Sequence, residues 1–266
     1  MFFRSLKCKA TYAPGEKPPQ ITENPNVNGR MSRELIVVGF GYGRRISMAT
    51  PSKKLLTPDN CTLILVDHQS QMLFGVQSHD RALIINAVVG LAKAAKVFNI
   101  PTILSTVAAK TFSGPLFPEL QEIFPGVEPV DRTNTNAWED DNFVAAVKRT
   151  GRKKLVMAAL WTEVCLAYPA LSAMEDGYEV YAVADASGGA SKEAHERAMQ
   201  RIIQAGVIPV TWEQVMYEWQ RDWARVETAD QLREVIAKHT GAFGQGVIYA
   251  KAMFGAQEGK PLRKAG

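Results

Sequence analysis

The chain has 266 residues, 46% of them hydrophobic, enough for one well-buried domain of about 200 residues plus tails. It contains no run of about 18 apolar residues, so no membrane span is expected. Its three cysteines (Cys8, Cys61, Cys165) have the spacing of neither a disulfide framework nor a zinc site, which suits a reducing compartment. The net charge of +4 belongs to the first 50 residues, where eight Lys or Arg face three Glu; the rest is close to neutral, which argues against a nucleic-acid surface.

Residues 1–55 carry APGEKPPQ, NPNVNG and GFGYGRR, a composition too poor in periodic apolar residues to order itself. They read as a disordered basic extension, as sequence upstream of a start at Met48, or as an acid-poor targeting segment. Gly39, Gly41 and Gly43 lack the third glycine of a dinucleotide loop, and no helix follows them.

From Cys61 the pattern becomes regular. Residues 62–66 (TLILV) predict a buried strand ending at Asp67. Residues 82–98 predict a helix with Leu83, Ala87, Val88, Leu91, Ala94 and Ala95 on one face. A strand over 102–106 follows Pro101, then a loop, a short helix near 119–123 and a short strand over 127–130. A helix over 140–150 stops at Gly151. The apolar run 155–160 reads as a buried strand, followed at once by helical spacing of Val164, Ala167, Tyr168 and Leu171. Further on come a strand over 179–184, a helix over 192–205 and a last strand over 207–211. Two helices over 213–223 and 229–239 carry Tyr217, Trp219 and Trp223 as exposed aromatics, for core packing or a subunit contact. Strands alternating with helices at this spacing imply a parallel sheet covered on both faces.

Three residues fall at the carboxyl edge of that sheet: Asp67, Arg132 and Cys165. Cys165 sits in the first turn of its helix, where peptide N–H groups favour a thiolate. A cysteine nucleophile needs a base and a cation, and Asp67 and Arg132 supply them. Each also has a structural reading: a small buried thiol, a helix cap and a surface cation. Lys110 is the other nearby cation.

The segments LVDHQ (65–69), NAWEDDNFVAAVKRTGRKKLVMAAL, WTEVC (161–165), ALSAMEDGYEVYAVADASGG and QAGVIPVTW resemble the isochorismatase-like cysteine hydrolases, most nearly the YcaC-like branch, over residues 56–240. The resemblance implies a three-layer α/β/α fold with a six-stranded parallel sheet. It implies an Asp67, Arg132, Cys165 triad acting on a small C–N acyl substrate through a thioester, without a cofactor. It also implies a non-proline cis peptide at Leu160–Trp161, with the N–H groups of Trp161 and Cys165 forming an oxyanion hole. A homo-oligomer, an octamer in this branch, is the expected assembly, with 241–266 as a candidate contact. The expected location is cytoplasmic, or mitochondrial if the N-terminal segment targets. Gln69, Phe74, Phe112, Trp138 and Trp161 are candidates to line a small apolar pocket. The stretch directly after Asp67, HQSQMLFGVQSHD, offers only His68 and His79, so the metal site of the nicotinamidases is not expected. Rival readings are a non-catalytic oligomeric scaffold of the same fold and a vinyl ether hydrolase, against which Cys165 argues. A flavodoxin-like nucleotide domain is disfavoured by HQSQ after the first strand.

Overall fold

The computed structural model describes residues 51–255. Readings made on residues 1–50 and 256–266 lie outside them. In chain order the described elements are β1 Cys61–Val66, α1 Ser70–Phe74, α2 Arg81–Val97, β2 Thr102–Val107, α3 Pro118–Ile123, β3 Val130–Arg132, α4 Asp141–Arg149, β4 Lys154–Ala159, α5 Ala167–Glu175, β5 Glu179–Val183, α6 Lys192–Gln204, β6 Ile208–Val210, α7 Trp212–Gln220, α8 Val226–His239 and α9 Gly241–Phe254. The strands form one sheet in the order β3-β2-β1-β4-β5-β6, every neighbouring pair parallel. This is the six-stranded α/β/α sandwich that the sequence implies.

The two central strands explain themselves. All six positions of β1 and of β4 are buried, as expected of parallel strands covered on both faces. Side chains alternate at period two between the layers. Leu63, Leu65, Val156 and Ala158 join Leu91, Trp219 and Leu232 on one side. Ile64, Val66, Leu155 and Met157 join Phe143, Ala170 and Ile202 on the other. Helix starts are fixed by side-chain caps: Asp80 accepts from the N–H of Ala82 (2.8 Å), Asp140 from Phe143 (2.9 Å) and Ser191 from Ala194 (3.0 Å).

Several sequence expectations are corrected. The third strand is Val130–Arg132, because pairing with β2 (Val107 opposite Arg132) sets its register, and Arg132 therefore ends it rather than following it. At the start of α2 Ile84 is buried, whereas Leu83 is 65% exposed. Trp219 is fully buried against Cys61 and Phe98, not exposed. Beyond α8, α9 is an additional helix lying along α8, where a Cβ on Gly244 would meet the Ile236 carbonyl oxygen at 2.6 Å. Among the described residues no helix is long and apolar enough to cross a membrane.

Candidate active site

The strand order reverses between β1 and β4, which opens a crevice at their carboxyl ends. Asp67 follows β1 on one side of it and Cys165 follows β4 on the other. Arg132 ends the edge strand β3, two inter-strand spacings (about 10 Å) from β1. Its long side chain crosses over β2 and places Nη2 2.7 Å from Oδ2 of Asp67, with both side chains fully buried. Nη1 of Arg132 donates to the Asn134 carbonyl, which steadies the guanidinium from the other end.

The backbone prepares this meeting. Asp67 has φ +58°, in the left-handed region where Asp is tolerated better than most residues. Its N–H still pairs with the Ser105 carbonyl at 2.9 Å, so the strand ends there and the carboxyl swings out of the pleat. Oδ1 of Asp67 and Nε of Arg132 are buried without hydrogen bonds of normal geometry, leaving one carboxylate oxygen in the pocket able to take a proton.

Cys165 is 4% exposed and lies in a π-helical turn, Thr162–Leu166, that precedes α5 rather than in the first turn of the helix itself. Burial first, and then the adjacent Asp67, push its thiol up from the usual range; the N–H of Trp161 and the Arg132 charge pull the other way. The sequence reading expects a helix end to hold a thiolate. Here desolvation outweighs the dipole and favours the thiol over the thiolate. Burial also raises Asp67, opposed chiefly by Arg132. The arrangement is therefore a thiol beside a buried carboxylate, with one fixed cation next to the acid.

The Leu160–Trp161 peptide bond is cis, at the position the resemblance implies. Of the two expected oxyanion donors, the Trp161 backbone favours the ionised sulfur, but the Cys165 N–H donates to the Trp161 carbonyl at 2.8 Å. That assignment is corrected: the π-turn draws the N–H groups of Val164, Cys165 and Leu166 onto one carbonyl.

The pocket-lining candidates separate. Gln69 is fully buried, but its amide is committed to the loop after β2, accepting from Val107 N–H (2.9 Å) and donating to the Gly114 carbonyl (2.5 Å). Trp138 packs edge-to-face on Phe143 and Tyr178 and donates to Asp176 at 2.9 Å, so it lines the helix layer rather than the crevice. The indole of Trp161 donates to the Met72 carbonyl at 2.8 Å and covers Gly75, where a Cβ would come within 2.4 Å of the ring. Phe74 and Phe112 follow β1 and β2 on the crevice side and are 70% and 67% exposed. Lys110 is exposed and takes no part in the ion pair. His68 is buried with Nε2 3.0 Å from the Ala186 carbonyl, and burial holds its pKa down at about 4. The sequence reading missed Thr162 and His195, whose side chains meet at 2.8 Å behind the turn that carries Cys165. The signal was present: His195 falls on the apolar stripe of Ala198, Met199 and Ile202, where a histidine must find a partner.

An isochorismatase domain model matches residues 61–214. The chain is 43% identical to YcaC of Escherichia coli K12 over 169 residues, 63% of this chain and 81% of the relative. The solved structure of the E. coli YcaC gene product, described as an octameric hydrolase of unknown specificity, superposes with a TM-score of 0.72 and 38% identity over 77% of this chain and 100% of the other. YcaC from Pseudomonas aeruginosa, solved with hexane-2,5-diol and covalent acrylamide, gives a TM-score of 0.72 and 36% identity with the same coverage.

Proposed function

The chain belongs to the isochorismatase family, and from that premise and the geometry of the crevice we propose that it is a cysteine hydrolase of small amides or related C–N acyl compounds. The observation that carries the reading is the fully buried Asp67–Arg132 pair, set beside Cys165 at the switch point of the sheet. Burying an acid and a base is costly unless they serve each other, and Cys165 lies close enough to Asp67 for the two to shift each other's titration.

In the proposed reaction Asp67 accepts the thiol proton as sulfur attacks the acyl carbon. Arg132 keeps the pair in register and balances the charge gathered there. The Trp161 N–H, which favours the ionised sulfur, serves as the donor where oxyanion charge develops. Collapse of the adduct breaks the C–N bond, and Asp67 returns its proton to the departing nitrogen. Asp67 then takes a proton from water, which attacks the thioester and frees the acid and the thiol. Phe74 and Phe112 form the apolar lip by which a small substrate enters.

The covalent acrylamide in the Pseudomonas relative fits a site that attacks electrophilic carbon. The octameric relative supports a homo-oligomer here, and α9 has the surface for it. Phe243, Ile248, Tyr249, Met253 and Phe254 are each at least 45% exposed, and Lys251 is the one charged residue of the helix. We place residues 56–240 as the hydrolase domain, and the free thiols of Cys61 and Cys165 suit a reducing, cytoplasmic location. The test is a screen of small amides and carbamoyl compounds against the wild type and Cys165→Ser. Turnover confined to the wild type supports the reading; equal turnover by both would end it.

A further inference from the structure

We infer that His195 is a positioning residue for the nucleophile, acting through Thr162. The inference rests on the reading of Cys165 as nucleophile and adds to it the device that fixes where the sulfur points.

Thr162 begins the turn that carries Cys165 and is fully buried. Its N–H donates to the Gly188 carbonyl at 2.9 Å, and its hydroxyl lies 2.8 Å from Nδ1 of His195. His195 comes from α6 and is 8% exposed. Burial first, and the neighbouring His79 second, hold its pKa down at about 4, so it meets the hydroxyl as a neutral imidazole. The ring of His79 stands edge-on to it, 4.6 Å between centroids, and is itself 2.8 Å from Oγ of Ser78. The same Ser78 oxygen accepts from the N–H of Gly189 at 2.9 Å. The next residue of the turn, Glu163, accepts from the N–H of Ala190 at 2.9 Å. The turn is thus tied at its first two residues to the loop before α6 and to α6 itself.

The turn needs this. N–H groups of Val164, Cys165 and Leu166 converge on the Trp161 carbonyl at 3.2, 2.8 and 3.3 Å. A carbonyl has two lone pairs, so three donors on one oxygen leave the turn free to slip between α and π pairing. Such a slip would carry Sγ away from both Asp67 and the Trp161 N–H. The internal bonds do not choose a phase; the ties that Thr162 and Glu163 make outside the turn do, and of these the Thr162–His195 bond is the one made between two side chains. Neither residue touches the sulfur. Their role is aim.

The experiment is acrylamide alkylation of Cys165, followed by mass spectrometry across a pH series. Wild type is compared with Thr162→Val and His195→Ala, with the conservative variants Thr162→Ser and His195→Gln, and with the Thr162→Val/His195→Ala double variant. The first two should alkylate about tenfold slower or more, since small misplacement of reacting atoms is costly. Their pH midpoint should move up, because the Trp161 N–H no longer favours the thiolate. The double variant should be no slower than the slower single one, as befits one shared bond. Ser and Gln should recover most of the rate. Wild-type rate and midpoint in folded Thr162→Val and His195→Ala would overturn the inference, as would a rate loss matching only the loss of folded protein. Failure of the nucleophile reading shows separately, as wild-type Cys165 reacting no faster than Cys61. In that event, hydrogen exchange over residues 162–166 decides: faster exchange in both variants upholds the tie, and unchanged exchange removes it.

Discussion

Replacing Arg132 by methionine separates a structural ion pair from an ornament. Methionine keeps the reach and apolar stem of arginine but leaves Asp67 buried beside a thiol with no cation. Breaking a fully buried pair from one side costs about 3–5 kcal/mol. At about 2–4 °C per kcal/mol for a domain of this size, the melting temperature should fall by roughly 6–20 °C. The deficit should also depend on pH, and its sign follows from Asp67. Burial raises its folded pKa above that of the unfolded chain, and Arg132 opposes the rise; without Arg132 it rises further. An acid with a raised folded pKa destabilises the fold when ionised and is relieved as pH falls through that pKa. The variant's deficit relative to wild type should therefore be largest near pH 8 and shrink toward pH 5. Asp67→Asn in the same background should recover most of it, since the stranded charge is gone. Urea denaturation at pH 8 and pH 5, at one protomer concentration, reads all three values. An Arg132→Met protein within about 1 kcal/mol of wild type at pH 8 would refute the reasoning, as would a deficit that does not shrink in acid.

Three further outcomes are expected. Gln69→Ala strands the Val107 N–H and frees residues 108–114, so stability should fall by about 1–3 kcal/mol and limited proteolysis should open a site in that loop; an uncut loop would speak against the clamp. Phe74→Ser and Phe112→Ser, both at exposed positions, should change stability by less than about 0.5 kcal/mol and raise KM more than they lower kcat once a substrate is found; an unchanged KM would remove them from the entrance. Tyr249→Glu with Met253→Glu should lower the particle mass by light scattering while leaving far-UV circular dichroism intact, and an unchanged mass would exclude α9 from the subunit contact.

The fold was legible where burial is uniform and obscure where tertiary pairing decides. β1 and β4 announce themselves because every position but Lys154 is apolar or small, and the caps at Asp80, Asp140 and Ser191 mark their helices. β3 was displaced because a strand of this length takes its register from β2, not from its own sequence. Leu83 and Ile84 are adjacent apolar residues, and only the angle at which α2 meets the sheet tells which one is buried. The same limit governs the site. That Asp67, Arg132 and Cys165 come together was legible because topology brings the ends of parallel strands to one edge. Where the two tryptophans turn could not be read, because the direction of an indole depends on what its N–H finds: Trp138 finds Asp176 and Trp161 finds the Met72 carbonyl.

The choice of Arg at the edge of the sheet follows from distance. β3 lies two strands from β1, so the cation that serves Asp67 has to cross β2 and then hold position at the end of a long stem. A guanidinium does this with two separate nitrogens, Nη2 on Asp67 and Nη1 on the Asn134 carbonyl, where an ammonium would carry its contacts on a single point. Having the cation on the acid rather than on the sulfur leaves desolvation to keep Cys165 protonated at rest. In the proposed reaction the nucleophile would then be made only as a bound acyl group accepts electron density from the sulfur, which would hold its reactivity in reserve until substrate fills the crevice.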